Sequence, residues 1–96
     1  MNKYEVMFIV RPDMEEAEIK KTAEDMKKVL TDNKAKLLEE KPLGQKELAY
    51  EINNFKSGFY HYFVVEANND AAINEFDRQA KNSSDIVRHM ITKIED

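Results

Sequence analysis

The chain has 96 residues, no cysteine, 19 acidic and 15 basic side chains, and a net charge of −4. A chain of this length forms one domain with a folded surface of roughly 5,700 Å² against about 16,400 Å² unfolded, enough for one small core. The composition excludes a disulfide framework, a cysteine-based zinc site and a membrane-spanning helix of about 18 apolar residues, and the acidic balance argues against strong nonspecific binding to nucleic acid.

Residues 3–11, KYEVMFIVR, open the chain as a strand. Met1-Asn2-Lys3 leads into it with no signal-peptide core, so a soluble cytoplasmic protein is expected. Alternate side chains point to opposite faces of a strand. Tyr4, Val6, Phe8 and Val10 make one face; Glu5, Met7 and Ile9 make the other, which is also largely apolar. The domain's own helices can cover one sheet face, so an apolar second face implies a partner.

Arg11-Pro12 ends this strand, because proline disfavours helix in the residue before it. Asp13 then reads as an N-cap with Glu16 as its capping-box partner. Ile19, Ala23, Met26 and Leu30 form a helical stripe, and Glu16/Lys20 and Glu24/Lys28 are supporting pairs on the outer side. The helix is expected over about 15–33. From Ala35 to Ile52 the chain reads as a long strand, broken at Pro42 and Gly44 and confined by the proline to a sheet edge. Leu48, Tyr50 and Ile52 alternate; Asn53, Asn54, Ser57 and Gly58 supply a turn. Phe59 to Ala67, FYHYFVVEA, is the strongest strand, again apolar on both faces. Asn68-Asn69-Asp70 caps a second helix with Ile73, Phe76 and Ala80 as its buried face. After the turn Asn82-Ser83-Ser84-Asp85, Ile86 to Ile94 forms the last strand.

The order strand, helix, strand, strand, helix, strand predicts an α+β fold. With right-handed crossovers it is the ferredoxin-like split βαβ sandwich, a four-stranded antiparallel sheet with two helices on one face. The single domain spans residues 1–96. The other sheet face is open, and strand parity puts Met7, Ile9, Tyr60, Tyr62 and Val64 on it as the candidate surface for a protein partner.

Nothing in the chain points to catalysis. The two histidines, His61 and His89, lie in separate predicted strands. No zinc-protease motif, glycine-rich phosphate loop or nucleophile elbow occurs. The loop Arg11-Pro12-Asp13-Met14 has no glycine, so it cannot cradle a phosphate. No metal, cofactor or small-molecule substrate is expected. The segment Lys56-Ser57-Gly58-Phe59-Tyr60-His61-Tyr62-Phe63 is loosely similar to the base-stacking strand of an RNA-recognition motif. A free-standing single-stranded RNA-binding module working through Tyr60 and Tyr62 is therefore the alternative reading. A metabolite-binding domain of the same fold is a third class without a pocket signal. Charge is uneven: within residues 78–94 the four cations Arg78, Lys81, Arg88 and Lys93 face only Asp85, a local balance of +3. Arg88 and His89, with Lys3 from the first strand, are candidates for a phosphate-contacting rim.

Four segments, KYEVMFIVRPDMEEAEI, LGQKELAYEI, KSGFYHYFVVEA and SDIVRHMITK, together resemble bacterial small-subunit ribosomal protein six in order and spacing, over essentially the whole chain. The resemblance implies a non-enzymatic component of the small ribosomal subunit that binds small-subunit ribosomal RNA together with small-subunit ribosomal protein eighteen. On this basis the RNA-binding residues are expected to be Lys3, Lys46, Arg88 and His89, joined by Lys93 from the basic segment 78–94. The sequence departs from the family at Asn2 and Glu47, where arginine or lysine is frequent, and at Lys34-Ala35, where Gly-Gly is frequent. No long C-terminal tail is expected after Glu95-Asp96.

Overall fold

The computed structural model describes residues 2–52, 55–68 and 70–95. In chain order the elements are β1 (Asn2–Val10), α1 (Glu16–Asp32), β2 (Lys36–Ile52), β3 (Phe55–Ala67), α2 (Ala71–Asn82) and β4 (Ile86–Glu95). The strands pair antiparallel in one four-stranded sheet ordered β2-β3-β1-β4. With both helices against one face, this is the expected ferredoxin-like sandwich.

The period-two pattern of β1 turns Tyr4, Val6, Phe8 and Val10 towards the helices, where they are buried with Phe63, Val65 and Ala67 of β3. Helix α1 closes the layer with Ile19, Ala23, Met26 and Leu30, and α2 with Ala72, Phe76 and Ala80. Phe8 is central: its ring meets Phe63 edge-on at 5.4 Å and Phe76 at 5.8 Å between centroids. Ile73, expected in this core, is only partly buried. The i, i+4, i+8 row on α2 runs through Ala72, Phe76 and Ala80, and Ile73 lies one step round the helix.

Helix α1 does not start with the expected capping box. Glu15 is the N-cap and makes no side-chain cap bond. The Asp13 carboxylate is 3.4 Å from Arg11 Nε, and Asp85 is 3.5 Å from the same nitrogen, so an ion-pair cluster at the end of β1 takes the side chain meant to cap. On the outer face Lys20 pairs with Glu16 at 3.4 Å, but Glu24 pairs with Lys27 at 3.0 Å rather than with Lys28. At its other end Ala35 N donates to Leu30 O at 3.0 Å and Lys34 N to Thr31 O at 3.1 Å. These two bonds make a Schellman motif. Lys34 adopts φ 69°, so a lysine stands in the left-handed conformation that glycine takes most readily. Asp70 is the N-cap of α2, as expected, but it forms no side-chain cap bond: its Oδ1 accepts the Tyr4 hydroxyl at 2.8 Å instead. Asn69 of the expected cap lies outside the described residues.

Pro42 predicts an edge strand, and β2 is at the sheet edge. Its register shifts between Leu37 and Glu39 and again between Pro42 and Gly44, where Gly44 takes φ 81°. Strand β3 begins at Phe55, so Ser57 and Gly58 belong to the strand rather than to the turn; Asn53 and Asn54 of that turn lie outside the described residues. The glycine is needed for close approach. A Cβ at Gly58 would overlap Ile9 Cγ2 and stand 3.2 Å from Val10 O. Ile9 closes over this position and is 7% exposed.

Candidate protein and nucleic-acid interface

The strand register fixes which side chains share the helix-free face. Reading across β2, β3, β1 and β4, one row is Glu39, Val64, Glu5 and Thr92. The next is Lys41, Tyr62, Met7 and Met90, followed by Gly44, Tyr60, Ile9 and Arg88. Charged residues flank these rows. Lys36, Glu66, Lys3 and Glu95 align beyond the first, and Lys46 stands opposite Gly58 beyond the last. Val64, Tyr62, Met7, Met90, Tyr60 and Ile9 therefore form a contiguous apolar belt bordered by charge. Exposure within the belt is uneven. Met90 is 45% exposed, Met7, Tyr60, Tyr62 and Val64 are half-buried, and Ile9 is buried against Gly58. Ile9 thus shares the face by parity but serves mainly as its floor.

The expected RNA-binding residues do not form a single rim. Lys3, Lys46 and Arg88 lie on the open face. Lys46 Nζ is 5.9 Å from the Tyr60 ring centroid, within cation–π reach. Arg88 Nη1 donates to the Tyr50 hydroxyl at 3.4 Å, which brings the β2–β3 hairpin towards β4 at the same end of the face. His89 and Lys93 have the opposite parity and lie on the helix side. His89 Nε2 is 2.7 Å from Asp77 Oδ1, and its ring stacks edge-on against Phe76 at 6.3 Å. Adjacent strand residues cannot share a face, so Arg88 and His89 are separated by the pleat. The +3 balance of residues 78–94 is also largely neutralised locally, because Arg78 pairs with Glu75 and Lys81 with Asp77 at 2.8 Å.

Three environments in and beside this surface perturb titration. Tyr62 ionises above its ordinary range because it is desolvated and because the carboxylates of Glu5 and Glu39 lie beside it; Glu5 also bonds its hydroxyl. His61, on the helix side, is stacked on Phe8 at 5.1 Å. Burial holds its pKa below the ordinary value, partly offset by the charge of Glu40. Asp77 is held low by the hydrogen bond from His89 and then by Lys81. Among the described residues no three histidine, aspartate or glutamate side chains are grouped to hold a metal ion, and no helix is long and apolar enough to cross a membrane.

A family model for ribosomal protein S6 matches residues 3–93. The chain belongs to the ribosomal protein S6 family. Its structure is similar to the crystal structure of the 30S ribosomal protein S6 from Thermotoga maritima, with a TM-score of 0.92 and 26% sequence identity over 97% of this chain and 87% of that one. This S6-family chain is accordingly a small-subunit ribosomal protein, as the resemblance of its sequence implies. Sequence reasoning left Glu39, Tyr50, Met90 and Thr92 out of the open face. Glu5 was on that face by parity, but without the register nothing set it apart from an ordinary exposed carboxylate. The alternation Arg88, Met90, Thr92 was a usable signal for the last strand.

Proposed function

We propose that this single-domain chain is a non-enzymatic structural component of the small ribosomal subunit in the cytoplasm, binding small-subunit ribosomal RNA jointly with small-subunit ribosomal protein eighteen. The observation that carries the reading is the open sheet face. It is an apolar belt of tyrosine, methionine and valine with no covering element among the described residues, on a member of a ribosomal protein family. The protein partner lies on Met7, Tyr60, Tyr62 and Val64, with Ile9 beneath. The RNA lies against Lys46 and Arg88, with Lys3 at the opposite end of the same face. These are few cations on a chain of net charge −4, so the isolated chain binds RNA weakly and the pair binds it well. His89 and Lys93, on the helix side, contribute less to this surface.

The test is binding of a small-subunit ribosomal RNA fragment with and without purified protein eighteen, at several salt concentrations. Tight, salt-dependent binding that requires protein eighteen is expected. Equal affinity without it would overturn the reading in favour of a free-standing RNA-binding module.

A further inference from the structure

Glu5 is an unusual member of the open face. It sits on β1, an interior strand of the sheet, half-buried, with Val64 opposite it on β3 and Thr92 opposite it on β4. Met7 follows it on the same face. Among the described residues the ion pairs give it no cationic partner. Tyr62, which faces Met7 and so lies diagonal to Glu5 across the β1–β3 pair, is the polar group beside it, and the Glu5 carboxylate helps to hold the Tyr62 hydroxyl in its neutral form. Glu39, in the same row on β2, is paired with Lys41 at 2.9 Å and exposed at the edge. Glu5 is therefore a carboxylate at the border of the apolar belt, with Val64 and Thr92 beside it, Met7 next to it on the belt side and the charged row of Lys3 and Glu66 on the other. Covering such a group without a counter-charge leaves a desolvated, unpaired anion, which is strongly unfavourable. Covering it with a cationic side chain ringed by apolar contact is the arrangement of an interface hot spot.

We propose that Glu5 anchors an arginine or lysine of the protein that docks on the open face, and that Tyr62 is a positioning residue holding the carboxylate for it. The inference rests on the reading that protein eighteen occupies this face. It also divides the face between the two partners. A carboxylate repels phosphate, so RNA is kept from the Glu5 row. Four residues along β1, Ile9 aligns with Arg88. That separation is about 13 Å, longer than a Debye length of about 8 Å at physiological salt, so the carboxylate and the cation act on separate partners. The docked segment of the protein partner carries an apolar stretch against Tyr62, Met7 and Met90 and at least one basic side chain over Glu5.

The experiment is calorimetric titration of the folded chain with purified protein eighteen at several salt concentrations. Wild type is compared with Glu5→Gln, Tyr62→Phe and the double variant. Glu5→Gln keeps the side-chain shape and removes the charge. It is expected to weaken pairing by about tenfold and to flatten its salt dependence. Tyr62→Phe keeps the ring and is expected to weaken pairing less, with no additional loss on top of Glu5→Gln, because it acts through that carboxylate. Additive losses from the two substitutions would show that Tyr62 contacts the partner independently and would overturn the positioning role. Wild-type pairing unaffected by Glu5→Gln would overturn the anchor while leaving protein eighteen as the partner. No pairing by the wild type would overturn the partner assignment itself, and the anchor with it.

Discussion

Gly58→Ala isolates a single contact on which the open face depends. The φ of Gly58 is outside the left-handed region, so alanine is not strained by the backbone there. The substitution alone would therefore stabilise by about 0.4–1 kcal/mol through the unfolded chain. The new methyl, however, overlaps Ile9 Cγ2, where an ordinary carbon–carbon contact is about 3.5–4.0 Å, and approaches Val10 O closely at 3.2 Å. Ile9 is buried and β-branched, so its Cγ2 cannot swing aside without an off-rotamer χ1. Overpacking of this kind costs about 1–3 kcal/mol, and it wins over the entropic gain, for a net loss of about 1–2 kcal/mol. Ile9→Ala removes Cγ2 and with it the overlap. In that background Gly58→Ala should be neutral or slightly stabilising, giving a coupling of about 1–3 kcal/mol in a double-mutant cycle. Urea unfolding of the four proteins measures it. A wild-type-like midpoint for Gly58→Ala, or the same loss in both backgrounds, would refute the close-approach role of the glycine.

Leu30 is 0% exposed at the end of the α1 stripe, so Leu30→Ala is expected to lower stability by about 2–5 kcal/mol in urea unfolding; an unmoved midpoint would take Leu30 out of the core. Tyr62→Ala removes ring area as well as the Glu5 contact, and should weaken pairing with protein eighteen by roughly 1–3 kcal/mol with the fold retained; loss of folding with unchanged pairing would make Tyr62 a core residue. His61 has a folded pKa below its ordinary 6.5, so the unfolded chain takes up a proton first as pH falls. The stability its neutral form contributes is present above about 6.5 and is lost as pH falls through that value towards the lower folded pKa. His61 Nε2 is buried without a hydrogen-bond partner among the described residues, so His61→Phe should raise stability and remove this acid-side decline. An identical fall in the urea midpoint between pH 7.5 and 5, in wild type and variant, would contradict that assignment.

Much of the fold was legible because its signals are local. Pro42 put β2 at an edge, the spacing of Ile19, Ala23, Met26 and Leu30 set the face of α1, and two-sided apolar strands indicated an open face. The cap positions were only partly legible: Asp70 is the N-cap of α2 as its sequence suggests, but its carboxylate is taken by Tyr4, 66 residues away, and Asp13 is drawn into the ion pairs of Arg11 instead of capping α1. Gly58 looked like turn punctuation; only the pairing of β3 with β1 shows that Ile9 needs the space above it. The candidate site was half legible. Parity gave Met7, Tyr60, Tyr62 and Val64, and applied to the last strand it also separates Arg88 from His89 and Lys93. Burial of Ile9 and the neighbours of Glu5 depend on cross-strand pairing that no local pattern encodes.

The most direct test of the account is the salt dependence of RNA binding by the pair formed with protein eighteen, wild type against Arg88→Ala. Arg88 lies on the open face, bonded to Tyr50 and two rows from Glu5. Its removal should lower affinity for a small-subunit ribosomal RNA fragment. It should also reduce the slope of log affinity against log salt by about 0.7–0.9, the share of one phosphate contact, with the protein pair intact. Unchanged slope and affinity would mean that the RNA lies elsewhere and that this end of the sheet is a solvated surface.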